Sequence, residues 1–250
     1  MSRVRTLLRR LSVQGAFVVP ILISVFGLNA VGSGEKSVDQ VFRDPKVVAL
    51  IKAANKGEIA EMDSLVRQGA DPNSVGNEGE TPIVWAMASN NKTGIQKLLE
   101  PGADPNKKMT NDNSATWLAA GRDDPKMLEL LLQHRGDPNI VGTRDTTALE
   151  IAARQSLSKN IDLLVKYGAN VNFANAVGDS AATWAASLGR FDLVGHLLEL
   201  GYSNDLRHLA AMVQARHVPQ DSEAQRLKDR VIDMLRAQGV QYPVQPAVTK

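Results

Sequence analysis

The sequence predicts an all-α solenoid: helix pairs of one kind stacked in a row, joined by short β-hairpin loops and closed at the C-terminal end by a helical cap. Three observations carry this. One loop is spelled four times, as VRQGADPNSV at 66–75, LEPGADPNKK at 99–108, QHRGDPNIVG at 133–142 and VKYGANVNFA at 165–174. A separate set of positions keeps a spacing of 33 residues: Thr81, Ser114, Thr147 and Ser180, and also Ala53, Ala86, Ala119, Ala152 and Ala185. Leucines stand ahead of successive loops, at Leu98-Leu99, Leu130 to Leu132, Leu163-Leu164 and Leu197-Leu198, as a buried helical face requires. Periods of about 20 to 50 residues mark solenoids and arrays, in which a helix pair cannot bury its own apolar face and must stack on the next.

Residues 1–30 come first. MSRVRTLLRR is a basic start, residues 16–28 (AFVVPILISVFGL) are an apolar run, and Leu28-Asn29-Ala30 places a small residue before a cut. This pattern is expected of a secretory signal peptide. The alternatives are a retained membrane anchor over residues 13–31, with Gln14 and Asn29 at the interfaces, and an internal hydrophobic helix. Arg3, Arg5, Arg9 and Arg10 lie in this stretch and no acidic residue does, so of the 29 basic and 27 acidic residues the remainder holds 25 and 27. The basic pI of 8.8 therefore belongs to the leader, and binding to nucleic acid, which needs a clustered basic face, is not expected. The chain has no cysteine, hence neither disulfides nor a lipoprotein attachment site, and a bacterial periplasm is the compartment expected. The Asn91-Lys92-Thr93 sequon reads as a chance match in that setting.

Residues 31–43 read as a linker and 44–204 as about five repeat units. Asp44-Pro45 reads as a helix N-cap with a first-turn proline. In later units Thr81 and its counterparts cap the first helix, Pro82 sits where no donor is missed, and the recurring alanines let helices approach closely. The glycines at 69, 102, 168 and 201 end the second helices in the left-handed conformation. Arg135 takes that place in the third loop and is expected to be strained by about 1 kcal/mol, unless Gly136 carries the turn. Asp71, Asp104 and Asp137 make side-chain turn contacts ahead of their prolines. Residues 205–241 form a capping helix pair without a hairpin, with Ser222 and Gln225 in a capping-box pattern and Leu227, Val231, Met234 and Leu235 as its apolar stripe. Residues 242–250 are expected to be an unstructured tail.

Thr81-Pro82-Ile83-Val84-Trp85-Ala86, followed by the recurring LLExGADPN, resembles the ankyrin repeat, with its turn, its T-P-L-H-x-A first helix and its second helix ending in G-A-D. The likeness covers about residues 44–204. It implies a binding module whose hairpin tips and adjacent concave side of the first helices meet another protein. Carried over unit by unit, the implied contacts are Asn77, Glu78, Glu80, Ala88 and Ser89; then Thr110, Asn111, Asn113 and Arg122; then Thr143, Arg144, Arg154 and Gln155; then Asp179, Ser187 and Leu188. Polar residues of both signs on a rigid frame suit a protein rather than a small molecule.

No nucleophile elbow, phosphate-binding loop or zinc-protease motif occurs, so no enzyme activity, cofactor or metal site is expected. His134, His196, His208 and His217 are scattered; Asp137 beside His134 suggests an acid/base pair only until the same aspartate is seen in loops lacking histidine. Trp85 and Trp184 share a register expected to be core. Trp117 lies one residue earlier, where partial exposure would make it an interface anchor.

The C-terminal run GYSNDLRHLAAMVQAR…QRLKDRVIDMLRAQGVQYP is similar to the final segment of periplasmic ankyrin proteins that accompany type VI secretion phospholipase effectors as immunity factors. The resemblance implies a protein that blocks a secreted lipase toxin, and the free protein is expected to be a monomer. The alternatives are a periplasmic ankyrin protein supporting another envelope enzyme such as a catalase, and a scaffold held at the inner membrane by residues 13–31. Membrane contact is expected only if the leader is not cleaved.

Overall fold

A computed structural model describes residues 37–245. The leader, the linker up to residue 36 and the tail from residue 246 lie outside the described residues. A short helix α1 (Val38–Val41) precedes the first pair, α2 (Pro45–Lys56) and α3 (Ile59–Arg67). The following pairs are α4 (Pro82–Ala86) with α5 (Lys92–Leu99), α6 (Ala115–Ala120) with α7 (Pro125–Gln133), α8 (Ala148–Arg154) with α9 (Ser158–Lys166), and α10 (Ala181–Ser187) with α11 (Phe191–Glu199). A last pair, α12 (Leu206–Ala215) and α13 (Glu223–Ala237), closes the array. First helices pack on first helices, α6 on α8, α8 on α10 and α10 on α12, and second helices do likewise, α3 on α5, α7 on α9 and α11 on α13. The core is thus a strip along the array, holding Leu98, Leu128, Leu131, Ile161, Leu164, Val194 and Leu197 at 0% exposure. None of the described helices is long and apolar enough to cross a membrane.

The helix starts follow local chemistry. Asp44 accepts from the Lys46 amide, and Pro45 opens α2. Thr81, Ser114, Thr147 and Ser180 are in extended conformation, and each side-chain oxygen accepts the amide three residues on. Asn91 of the sequon is itself a cap: its Oδ1 takes the Gly94 amide and its Nδ2 donates to the Asn55 carbonyl, so the side chain is already engaged in the fold.

The recurring loop has a fuller explanation than a turn. Gly69, Gly102, Gly168 and Gly201 have φ of 92°, 101°, 97° and 97°, and Arg135 has φ 67°, so Arg135 and not Gly136 carries the left-handed turn. Asp71, Asp104 and Asp137 each accept from the amide two residues on, at 2.8 Å. That amide belongs to Asn73, Asn106 or Asn139, and these asparagines bind the next unit. Asn73 Nδ2 donates to the Gly102 carbonyl and its Oδ1 accepts from the Asp104 amide, at 2.8 and 2.7 Å. Asn106 does the same to Arg135 and Asp137, both at 2.7 Å, and Asn139 to Gly168 and Asn170, at 3.0 and 2.7 Å. Asn172 repeats the pattern on Gly201 and Ser203. The loops form one continuous hydrogen-bonded ladder along the edge of the stack.

Four expectations need correction. The β-hairpins are reduced: the described residues contain no strand, and each tip is closed by one backbone bond, Gly76 to Glu80, Met109 to Asn113, Gly142 to Thr146 and Asn175 to Asp179, with one bridge between Val141 and Thr147. The linker ends earlier than residue 43: Val38, Val41 and Phe42 are buried against Val47, Val48 and Ile51 and partly buried Trp85, and the Phe42 and Trp85 rings meet edge to face at 6.1 Å. Spacing of i, i+3 and i+4 puts those three on one helical face. Ser222 caps α13 through the Gln225 amide, but Gln225 reaches forward to Asp229 instead of back to the cap, leaving half a capping box. The tail is held at least to residue 245: the Gln214 amide group brackets Val244, accepting from its N–H at 2.6 Å and donating to its carbonyl at 3.3 Å, and Arg207 donates to the Gln245 carbonyl.

Candidate recognition surface

Each loop tip has the same skeleton. Gly79, Asp112, Asp145 and Gly178, 33 residues apart, all have positive φ, which lets four residues reverse the chain beneath one closing bond. The residue before each of them stands at the apex: Glu78, Asn111, Arg144 and Val177, each exposed. A second row lies where the first helices end: Ser89, Arg122, Gln155 and Leu188. Ordered along the stack, the apex row runs acidic, neutral, basic, apolar, and the second row runs small polar, basic, polar, apolar. Both rows end on an exposed apolar side chain, Val177 at 81% and Leu188 at 55%.

Neighbouring tips are tied together. Thr110 donates its N–H and its hydroxyl to the Glu78 carbonyl, both at 3.0 Å, and the Asn113 side chain accepts from the Thr143 amide at 3.1 Å. Glu80 is buried at 9%, its carboxylate accepting the Glu78 amide at 2.7 Å. Asn113 is likewise 2% exposed. These two shape their tips from inside, which removes them from the surface set.

Trp117 is the largest correction. It is 2% exposed, whereas Trp85 and Trp184, placed in the core by their register, are only half-buried. The register of Trp117 is shared by Val84, Glu150 and Thr183, all buried. The next register holds Leu118 and Ile151 buried at 3%, and a tryptophan there is too large to be covered. The Trp117 indole donates to the Thr146 carbonyl at 2.8 Å, and a Cβ on Gly142 would lie 2.7 Å from its ring. Trp117 is therefore a post under the tip that carries Arg144. That tip alone has two successive left-handed residues, Arg144 and Asp145, both at φ 55°, a conformation that costs a non-glycine residue about 1 kcal/mol or more.

Arg144 is exposed and makes no ion pair among the described residues. Arg122 is half-buried, donating to the Met87 carbonyl of the preceding unit at 3.3 Å, while its own carbonyl accepts from buried Asn160 at 2.7 Å. Arg154 pairs with Glu150 at 2.5 Å and lies 6.0 Å from the Trp184 ring centroid. Ser89 bonds the Ala86 carbonyl, Asn111 accepts the Asn113 amide, and Asp179 pairs with Asn175 within its own tip. Arg190, just before α11, binds the Ser156 hydroxyl of the preceding unit and grips Asp192 with two N–H groups, and that hydrogen bonding holds the Asp192 carboxyl below its ordinary value against the opposing effect of burial.

Glu150, Val177 and Trp184 belong to this surface or directly beneath it and were not read from the sequence as contacts. Lining up the units would have found Glu150 and Val177, because each breaks the chemistry of its register, whereas Trp184 follows its register and gave no such signal. A cleft of about 650 Å³ also opens beside the first tip, between Val41, Phe42, Asp44 and Val75. His134 faces the Leu130 carbonyl at 2.9 Å and the Asp137 carboxylate serves the Asn139 amide, so the two do not form an acid/base pair. No cluster of three His, Asp or Glu side chains able to hold a metal occurs among the described residues.

A family model described as ankyrin repeats (3 copies) matches residues 21–109 and 113–208. No curated protein matches the chain.

Proposed function

The chain belongs to the ankyrin-repeat family, and from that premise we propose that it is an exported protein-binding module that acts as an immunity protein, covering the active-site entrance of a lipase toxin delivered into the periplasm. One observation carries the recognition surface. Beneath the two rows the caps, the loop ladder and the leucine core recur from unit to unit, while the rows themselves change chemistry. A frame that is held constant under a variable exposed set suits selection for a partner and not for stability. Arg144 and Arg122 supply charge in the middle units, and Val177 with Leu188 supplies an apolar end, the combination that forms interface hot spots. Such an interface would bury roughly 1,600 Å². The export step rests on the leader pattern, and the toxin on the likeness of residues 201–243 to the periplasmic proteins named above. Support of a different envelope enzyme uses the same surface and is the competing reading.

The test is protection. Cells that send a type VI lipase toxin to their own periplasm should survive when the protein is co-exported, if that toxin is its partner. Arg144→Glu with Leu188→Ser should abolish survival and complex formation while leaving the melting temperature within about 4 °C, since exposed substitutions cost within about 0.5 kcal/mol each. Lys159→Glu, exposed on a second helix, should change nothing. Loss of protection through Lys159 and not through the two rows would overturn the surface; absence of protection by the unaltered protein would overturn the immunity reading.

A further inference from the structure

Unit four departs from its neighbours at two registers together. Where the other units place Val84 with Ala88, Trp117 with Gly121 and Thr183 with Ser187, this unit places Glu150 with Arg154. The Glu150 side chain is 3% exposed and that of Arg154 32%. A buried ion pair is seldom more stable than the apolar residues it replaces, and three other units show that a neutral pair suffices at this place in the stack. The pair therefore calls for a reason other than stability.

Arg154 is also under-used. Its guanidinium has five N–H donors, and among the described residues it has one acceptor, Glu150 Oε1 at 2.5 Å; its Nε is buried with none. Glu150 fixes the group from below and the Trp184 ring flanks it at 6.0 Å. Trp184 and Leu188, one helical turn apart, leave apolar surface beside it, with Leu188 55% exposed. A guanidinium held by a buried carboxylate, with an open edge and an apolar wall, matches a carboxylate carried on a short aliphatic stem.

We infer that Glu150, Arg154, Trp184 and Leu188 form a receptor for an acidic side chain of the protein partner, with Arg154 making the contact and Glu150 acting as its positioning residue. The inference rests on the recognition surface proposed above and deepens it by naming what the partner must present.

The probe is N-acetylglutamate methylamide, with the glutamine analogue as its uncharged match, titrated at constant ionic strength into the ¹⁵N-labelled protein. The Arg154 Nε–H and Trp184 indole N–H signals should shift saturably with the glutamate probe, half-maximally at roughly 10–50 mM for a single charge-assisted contact, and should not respond to the glutamine probe. The Trp85 indole is the internal reference and should stay still. The variant E150V/R154A installs the residues of unit two; it should lose the Trp184 response entirely and melt at the same temperature or higher. No saturable shift at the two signals, an equal response to the glutamine probe, a response retained in the variant, or a variant that melts much lower would each overturn the receptor. Because the probe needs no toxin, these outcomes are independent of the protection assay: the receptor can fail while protection stands, and the immunity reading can fail while the receptor binds.

Discussion

Replacing Asn106 by alanine cuts one rung of the ladder. The side chain donates to the Arg135 carbonyl and accepts from the Asp137 amide, both at 2.7 Å, and it also takes the Thr116 hydroxyl at 3.0 Å, which keeps the Pro105 carbonyl as a second partner. The two bonds that cross to the next unit are each worth about 1 kcal/mol net, and their partners at the loop surface regain water, so the loss should be about 2 kcal/mol. For a chain of this size that is a fall in melting temperature of about 4–8 °C. The loss falls on the coupling between units and not on either unit's own core, so urea unfolding should also become less cooperative. Lys108→Ala, close by in the same loop and without a bond among the described residues, is the control and should do neither. A melting temperature within 1 °C of the parent, or equal losses from Lys108→Ala, would show that the rungs are incidental to stacking; these bounds follow the usual spread of surface substitutions, about 0.5 kcal/mol.

Arg135→Gly removes a left-handed non-glycine residue and should be neutral or stabilising by up to about 1 kcal/mol in thermal melts, and clear destabilisation would mean that the arginine side chain has a role beyond the turn. Trp117→Phe keeps most of the ring volume but drops the bond to the Thr146 carbonyl, so it should cost about 1–2 kcal/mol and speed hydrogen exchange at the Gly142 amide, which is bonded to the same carbonyl; unchanged exchange would refute the post. The Asp192 and Asp124 carboxyls both lie below their ordinary values, Asp192 through Arg190, and Asp124 because Lys92 and the Met127 amide outweigh burial. With folded-state values depressed, their stabilisation is present above about pH 4 and is lost as pH falls through the lowered values. Asp192→Asn should therefore flatten the acid limb of the stability curve and leave its slope near neutrality alone.

Periodic features were legible because repetition multiplies them. The caps, the loop glycines and the strained Arg135 could each be placed by counting from one unit to the next. The ladder was not, since the loop asparagines looked like ordinary turn residues and their partners lie 29 to 31 positions away, as Asn73 with Gly102 and Asp104 shows. The tryptophans were inverted for a steric reason. Register gives direction, but the space at each place decides burial: the Trp117 ring fits beneath the next tip, against Gly142 and the Thr146 carbonyl, whereas Trp85 and Trp184 are left half-buried. Of the expected contacts, exposed Arg144, Asn111 and Ser89 are placed where a partner could reach them, whereas Glu80 and Trp117 are enclosed because tips must be held from within. α1 was missed because it is short, though Val38, Val41 and Phe42 already share a face.

The ladder has a consequence for how such a chain changes length. Each inner loop of the ladder offers an asparagine forward and a carbonyl with an amide backward, so a copied inner segment of 33 residues arrives with both halves of its joints in place. Insertion of one whole unit leaves no unmatched donor at either seam, while insertion of any fraction of a unit leaves the asparagine facing the wrong atoms. Growth and loss are thereby confined to whole steps, and the apex residues of a new copy begin identical to their parent's, free to diverge one at a time while the joints stay fixed.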